Sequence, residues 1–298
     1  MAATNTAPVL AAVDETDASL RALDWAADEA VRRRRPLRIH HVFDWPMRHS
    51  DPRGLPGFNQ DEYALRVIDP AERRARERAP GLAVTANFHV GDVAPRLLLE
   101  AARADLVVVG SRGLSSVGAA ALGSVGQELA ASARCPVVVV PDRDPKPPTG
   151  RIVVGVDGSA PARAAAAWAF AAAEERGAAV RAVAVHGRVS HGPWSPLDLP
   201  AALRLGPADE AAAREEAGRL LSESVAGERE RHPGVAVEEV VAAGHAAQLL
   251  VDEAENADLL VVGSRGRGGF AGMLLGSVSR TVLSHAASPV AVLHAADV

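Results

Sequence analysis

One lysine, one cysteine and an aromatic share of only 3% are the scarcities of this 298-residue chain. The lysine, Lys146, lies in a proline-rich stretch. No glycine-rich loop therefore ends in the lysine that a Walker loop needs to reach the β- and γ-phosphates, and that class of nucleotide hydrolase is excluded. The lone cysteine, Cys135, rules out an intramolecular disulfide. Followed by Pro136 and a valine run, it reads as a small buried hydrophobe, with a reactive thiol as the alternative. No apolar run reaches the roughly 18 to 20 residues that cross a bilayer, and the longest candidate, Ala164 to Ala173, is an alanine-rich helix segment. Residues 1–7 lack the charged start, apolar stretch and cleavage site of a secretory signal, so the expectation is a cytoplasmic protein. A net charge of −5 gives no broad field to attract nucleic acid, and nothing suggests a membrane partner. There is no Gly-x-Ser-x-Gly elbow, no metal-type His/Cys spacing and no acid/base carboxylate pair. The adjacent His40 and His41 point to opposite faces of a strand, so they cannot chelate as a unit and read as packed or surface histidines. The run Arg32 to Arg35 reads as cations at a helix C-terminus, with a polyanion site as the alternative.

What the chain does have is 48% hydrophobic and 23% charged residues, enough apolar material for cores built on Val, Leu and Ala. Its length is about twice that of a common domain. It also repeats itself. Ala12-Val13-Asp14-Glu15-Thr16 matches Gly155-Val156-Asp157-Gly158-Ser159, and Trp25 matches Trp168. Further on, Ala104 to Gly110 matches Ala257 to Gly263, and Gly123-Ser124-Val125 matches Gly276-Ser277-Val278. The second copy is longer in its middle. Between the copies, Pro141 to Pro148 reads as a stiff, exposed linker, which gives domains of residues 1–145 and 146–298.

Each copy carries the same order of elements. A short apolar strand (9–13; 152–156) leads to an alanine-rich helix and a second strand (37–43; 180–186). A variable, polar, proline-bearing connection reaches a third strand (84–90; 235–241), then a helix (95–102; 246–255) and a fourth strand ending at Gly110 or Gly263. A glycine-rich loop, a helix and a last strand (137–140; 290–293) complete each copy. Strands this apolar throughout, alternating with helices, indicate an α/β fold of two tandem, doubly wound parallel sheets.

In such sheets ligands bind beyond the carboxyl ends of the strands, where the winding reverses. There the first copy reads Gly110-Ser111-Arg112-Gly113, nine residues, then Gly123-Ser124-Val125-Gly126. The second reads Gly263-Ser264-Arg265-Gly266, nine residues, then Gly276-Ser277-Val278-Ser279. Glycines let backbone approach a ligand without a Cβ in the way, and the Gly-Ser pair opens a helix whose unpaired amides favour phosphate. Tight turns without a ligand are the plain alternative, as are solvated side chains for Arg112 and Arg265. Residues 266–271 also fit a dinucleotide fingerprint, but that motif belongs after the first strand.

With its Gly, two residues, Gly, nine residues, Gly-Ser spacing present twice, the chain resembles a tandem universal stress protein of the ATP-binding kind. The resemblance implies five-stranded sheets of order 3-2-1-4-5 binding adenine nucleotide, ATP with Mg²⁺ accompanying its phosphates, and a regulatory stress role rather than catalysis. It also implies pairing of two domains through the last strand, within one chain or in a homodimer, with the protein partner unspecified. The strand-one Asp at the adenine and ribose end falls on Asp14 and Asp157, and the strand-two Val beside adenine on Val42 and Val185. Helix capping is the alternative for the two aspartates. Two other functions stay open: an enzyme that cleaves or transfers from ATP, and a pairing scaffold that binds nothing. Glu15 stands where the second copy has Gly158, and the second copy adds Arg267. An extra carboxylate repels phosphate and an extra guanidinium attracts it, by roughly 0.5 to 2 kcal/mol each, so the second site is expected to bind more tightly.

Overall fold

The computed structural model describes residues 7–44, 59–112, 122–187, 207–267 and 274–295. The chain divides into two compact units, Met1–Lys146 with Pro289–Val292 and Pro147–Ser288 with Leu293–Val298. In the first unit β1 (Val9–Ala12), α1 (Asp17–Arg32), β2 (Leu37–Phe43), α2 (Gln60–Arg78), β3 (Val84–Val90), α3 (Val93–Ala101), β4 (Leu106–Gly110), α4 (Ser124–Ser132) and β5 (Val137–Val140) alternate. Parallel strands cannot be joined by tight hairpins, so each connection crosses over a face of the sheet as a helix. The strands run parallel in the order β3-β2-β1-β4-β5. The winding reverses between β1 and β4, which opens a crevice at their carboxyl ends.

The second unit repeats the plan with β6 (Arg151–Gly155), α5 (Ala160–Arg176), β7 (Ala179–His186), α6 (Pro207–Arg231), β8 (Val237–Ala243), α7 (Ala246–Ala254), β9 (Leu259–Gly263) and α8 (Ser277–His285). Its strands stand in the order β9-β6-β7-β8, all parallel. β10 (Val290–Leu293) closes the regular structure. Val290, Ala291 and Val292, which group with the first unit, run antiparallel to Val139, Val138 and Val137.

The variable, polar connection between the second and third strands carries a long helix in both units. Pro70 lies inside the highly charged α2, and α6, rich in Ala, Glu and Arg, shows no apolar stripe. Tertiary burial organises them instead: Val67, Ile68, Ala71 and Ala75 in α2, and Leu221, Ser224, Val225 and Glu228 in α6, are buried at helical spacing.

Helix α1 begins at Thr16, whose hydroxyl accepts from the Ser19 amide, and α5 begins at Ser159, which accepts from the Ala162 amide. The N-caps are thus Thr16 and Ser159 rather than the aspartates two residues earlier. Alanines 18, 22, 26 and 30, and 162, 165, 166, 169 and 173, form fully packed stripes that let these helices approach the sheet closely. The approach explains the glycine that ends the fourth strand of each unit. A Cβ on Gly110 would lie 2.9 Å from the Ala18 carbonyl oxygen, and one on Gly263 would lie 2.8 Å from the Pro161 carbonyl carbon. In both units the atoms that leave no room for a Cβ belong to the first turn of a helix, α1 or α5.

At its other end α1 stops on an arginine run whose cations serve the protein itself. Glu29, fully buried, accepts from Arg32 at 2.6 Å and Arg33 at 2.7 Å, while Arg33 and Arg35 reach Asp105. Arg34 takes the left-handed conformation with φ 53°, the place where α5 ends on Gly177 with φ 62°. A non-glycine residue is strained there, so Arg34→Gly should stabilise the protein by about 0.5 to 1 kcal/mol. A rise in the urea midpoint without a change in slope would show it, and an unchanged midpoint would remove the strain argument. Cys135 is half-buried, and burial followed by the charge of Asp105 pushes its thiol up to about 12, which keeps it protonated and unreactive at neutral pH.

Candidate functional site

The turn leaving β1 is held by its own polar side chains. Val13 continues the ladder by donating to the His40 carbonyl at 3.0 Å, and the chain then turns at Asp14. The Asp14 carboxylate accepts from the Thr16 amide at 2.9 Å and from the Thr16 hydroxyl. The Ser19 hydroxyl lies within donor distance of the Asp14 and Thr16 carbonyls, at 2.8 and 2.9 Å, and accepts from the Asp14 amide. Asp14 is thereby fixed at the crevice mouth.

The exit from β4 is pinned in the same manner in both units. Ser111 donates its amide to the Val140 carbonyl at 2.8 Å, and Gly123 donates to the Ser111 carbonyl at 2.9 Å. Ser264 donates to the Leu293 carbonyl at 2.7 Å, and Gly276 to the Ser264 carbonyl at 2.8 Å. These bonds place Gly123 and Gly276 as N-caps of α4 and α8. A glycine supplies no side-chain acceptor, so the first-turn amides of both helices are left without a side-chain cap.

In the first unit these pieces surround a cleft of about 660 Å³, within the range of small-molecule sites. Asp14, Val42, Gly110, Arg112, Gly123, Ser124 and Val125 all line it. Gly113 lies outside the described residues. Phe43, Tyr63 and His41 form a further wall of the cleft, with the Tyr63 and Phe43 ring centroids 4.6 Å apart. The His41 Nδ1 lies 2.8 Å from the Val13 carbonyl oxygen, which orients the ring. Burial, then the charge of Glu15 and a hydrogen bond to it, push the Tyr63 phenol above its ordinary value.

In the second unit the Asp157 carboxylate accepts from the Ser159 amide at 2.9 Å and from the Arg267 amide at 3.0 Å. The Ser159 hydroxyl donates to the Arg265 carbonyl at 3.3 Å, which draws the β9 loop against the β6 turn. Gly266 lies so close to Asp157 that an added Cβ would stand 2.5 Å from a carboxylate oxygen. Ser277 is exposed and Val278 half-buried at the start of α8, and Val185 is half-buried in β7. The register makes Val185 the counterpart of Val42, because Val156 donates to Val183 as Val13 donates to His40.

The model of the universal stress protein family matches residues 6–141 and again residues 148–294. The chain belongs to the universal stress protein family. A universal stress protein of Mycobacterium tuberculosis strain H37Rv is 35% identical over 95% of this chain and 96% of its own length. One from Mycolicibacterium smegmatis is 37% identical over 96% of each chain. The solved universal stress protein of Archaeoglobus fulgidus DSM 4304 aligns over 98% of this chain and 97% of its own, with a TM-score of 0.69 at 20% identity, and shares the fold.

Several side chains of this universal stress protein sit differently from the sequence reading. Ser279 is buried, and its hydroxyl donates toward the Gly263 and Ser264 carbonyls at 2.7 and 3.2 Å, so it ties α8 to the strand end instead of facing the crevice. Its counterpart Gly126 is buried, and a Cβ added there would stand 3.4 Å from a Leu122 methyl. Arg112 pairs with Asp142 at 3.2 Å, and Arg21 also binds Asp142, which sits in the stretch read as linker. Both charges behind the expected difference between the sites have partners: Glu15 bonds Tyr63, and Arg267 lies 4.0 Å from Glu216. The aromatic wall was missed in the sequence. Its signal was rarity, since Tyr63 is the only tyrosine and Phe43 one of five phenylalanines.

Proposed function

We propose that the chain binds ATP, with Mg²⁺ accompanying the phosphates, at the crevice of each half, residues 1–145 and 146–298, as a regulatory ligand in a stress response. The observation that carries this reading is the convergence on one cleft of an apolar and aromatic wall, a carboxylate and the uncapped start of α4. Each part suits one portion of the nucleotide. Adenine is apolar-faced and packs against Val42, Phe43 and Tyr63. The ribose hydroxyls donate to Asp14. The phosphates accept from the first-turn amides and the Ser124 hydroxyl, where the helix dipole favours negative charge. In the second half Asp157, Val185, Arg265, Gly266, Ser277 and Val278 take the corresponding places, and Ser279 steadies the loop.

Mg²⁺ would neutralise phosphate charge, and the Asp44 carboxylate near the cleft is an oxygen donor of the kind it accepts. The test is calorimetric titration of the full chain with Mg·ATP, followed by mass spectrometry of the nucleotide recovered after incubation. Binding of two equivalents, with ATP recovered intact, is expected. Absence of binding would reject the reading, and steady conversion to ADP would favour an enzyme instead.

A further inference from the structure

Beside the crevice, whose lining His40 shares, β2, β3 and α3 contribute a second group of side chains in the first unit. His40 is fully buried, and among the described residues neither of its ring nitrogens has a hydrogen-bond partner. Burying an imidazole with both nitrogens unsatisfied costs about 1 to 3 kcal/mol per group, which calls for an explanation. Its ring stacks on that of His89, with centroids 4.8 Å apart and planes 12° apart, and Glu100 completes the group. One ligand atom from each of His40, His89 and Glu100 lies within 4.8 Å of the other two.

The second unit supplies an internal control. The ladders pair Val42 with His89 and Val185 with Ala242, and Val13 and Val156 donate to His40 and Val183, so the counterparts of His40 and His89 are Val183 and Ala242. Glu100 corresponds to Glu253 and Arg38 to Arg181. In the second unit that pair is an ordinary bidentate ion pair, at 2.8 and 2.9 Å. In the first unit the Arg38 to Glu100 distance opens to 3.5 Å, and the carboxylate turns toward the histidines and Arg96. Arg96, the counterpart of Leu249, bonds both His89 and Glu100 and is about one third exposed. A cation already sits between an imidazole nitrogen and a carboxylate, on a side chain with solvent to swing into.

We propose that His40, His89 and Glu100 form a binding site for a divalent transition ion of the zinc type, which the ion enters by displacing the Arg96 guanidinium. Two imidazoles and one carboxylate are a ligand set of open zinc sites, with water in the remaining position. Metal–ligand bonds of about 2.0 to 2.2 Å put ligand atoms about 3.4 Å apart in a tetrahedron, so the group contracts by roughly an ångström on binding. Burial pushes the His40 imidazole down to about 4, and burial with the charge of Arg96 pushes that of His89 down. The sequence hid the site because its members are distant along the chain and meet only through the β2–β3 register and the packing of α3 on β2.

The site does not depend on the nucleotide reading and is tested without nucleotide. Chelator-stripped full-length protein is titrated with Co²⁺, read by its visible ligand-field bands, and the bound Co²⁺ is then displaced by Zn²⁺. One ion per chain is expected. His89→Ala, which installs the residue of the second unit at a half-buried position, should weaken uptake about a hundredfold. Glu100→Gln should do likewise, and Arg96→Leu should tighten it about tenfold by removing the competitor. Uptake seen only in the Arg96→Leu protein and abolished by His89→Ala still supports the ligand set, with the arginine as its closed state. The proposal is overturned if uptake survives His89→Ala, or if neither the parent nor the Arg96→Leu protein takes up the ion.

Discussion

Gly263→Val is expected to abolish cooperative folding of the second unit, or to lower its stability by more than about 3 kcal/mol, out of the roughly 5 to 15 kcal/mol typical of a domain. The reason is steric rather than conformational, since Gly263 is not among the glycines with positive φ. A Cβ there meets the Pro161 carbonyl carbon and Cβ at 2.8 Å and the Ala162 amide nitrogen at 2.9 Å, distances that real Cβ atoms do not adopt. The first turn of α5 cannot recede, because Ala162, Ala165, Ala166 and Ala169 already press it onto the sheet. Gly110→Ala should damage the first unit for the same reason, against Ala18. Gly126→Ala is the mild comparison, because its Cβ would stand 3.4 Å from a Leu122 methyl. Urea denaturation followed by circular dichroism separates the three. An unaltered transition for Gly263→Val would mean that helix and strand are not in the contact described.

Ser124→Asp should lower ATP affinity at the first crevice tenfold or more, about 1.4 kcal/mol or greater, without lowering the melting temperature. Ser124 is exposed and is the first residue of α4, so a carboxylate there meets the positive end of the helix and adds about 0.3 to 1 kcal/mol of stability. The same carboxylate stands where a phosphate is proposed and repels it. Ser277→Asp is the matching change in the second unit, and each variant should weaken one of two binding events in the full chain. Ser124→Ala removes a single hydroxyl donor and should cost only a few-fold. Undiminished affinity in both Asp variants would place the phosphates away from these helices. The pair of variants also measures each site alone, which settles whether the second binds more tightly now that Glu15 and Arg267 prove to have partners.

Much of this architecture could be read from the chain because valine runs and duplicated motifs are local signals. The strands of the first unit fall where the apolar runs do, and the Gly-Ser pairs do open helices. The role of Gly110 and Gly263 was legible only in part. A missing Cβ looks the same in sequence whether it makes room for a phosphate or for a helix, and the closeness of the α1 and α5 backbones shows only in the fold. α2 and α6 escaped notice because charge and an internal proline mask a pattern that only burial reveals. The ligand set of His40, His89 and Glu100, and the tie between Arg112 and Asp142, depend on contacts between distant segments. No local spacing encodes them.

The pinning of the β4 exit couples two points that are far apart along the backbone. Ser111 is fastened to the last residue of β5 by its amide, its hydroxyl accepts from the amide of Asp142, and its carbonyl holds the glycine at which α4 starts. One residue thus acts as a clevis joining a strand tail to a helix head. A displacement of the chain just past Val140 would therefore pull on the glycine that opens α4 at the mouth of the crevice.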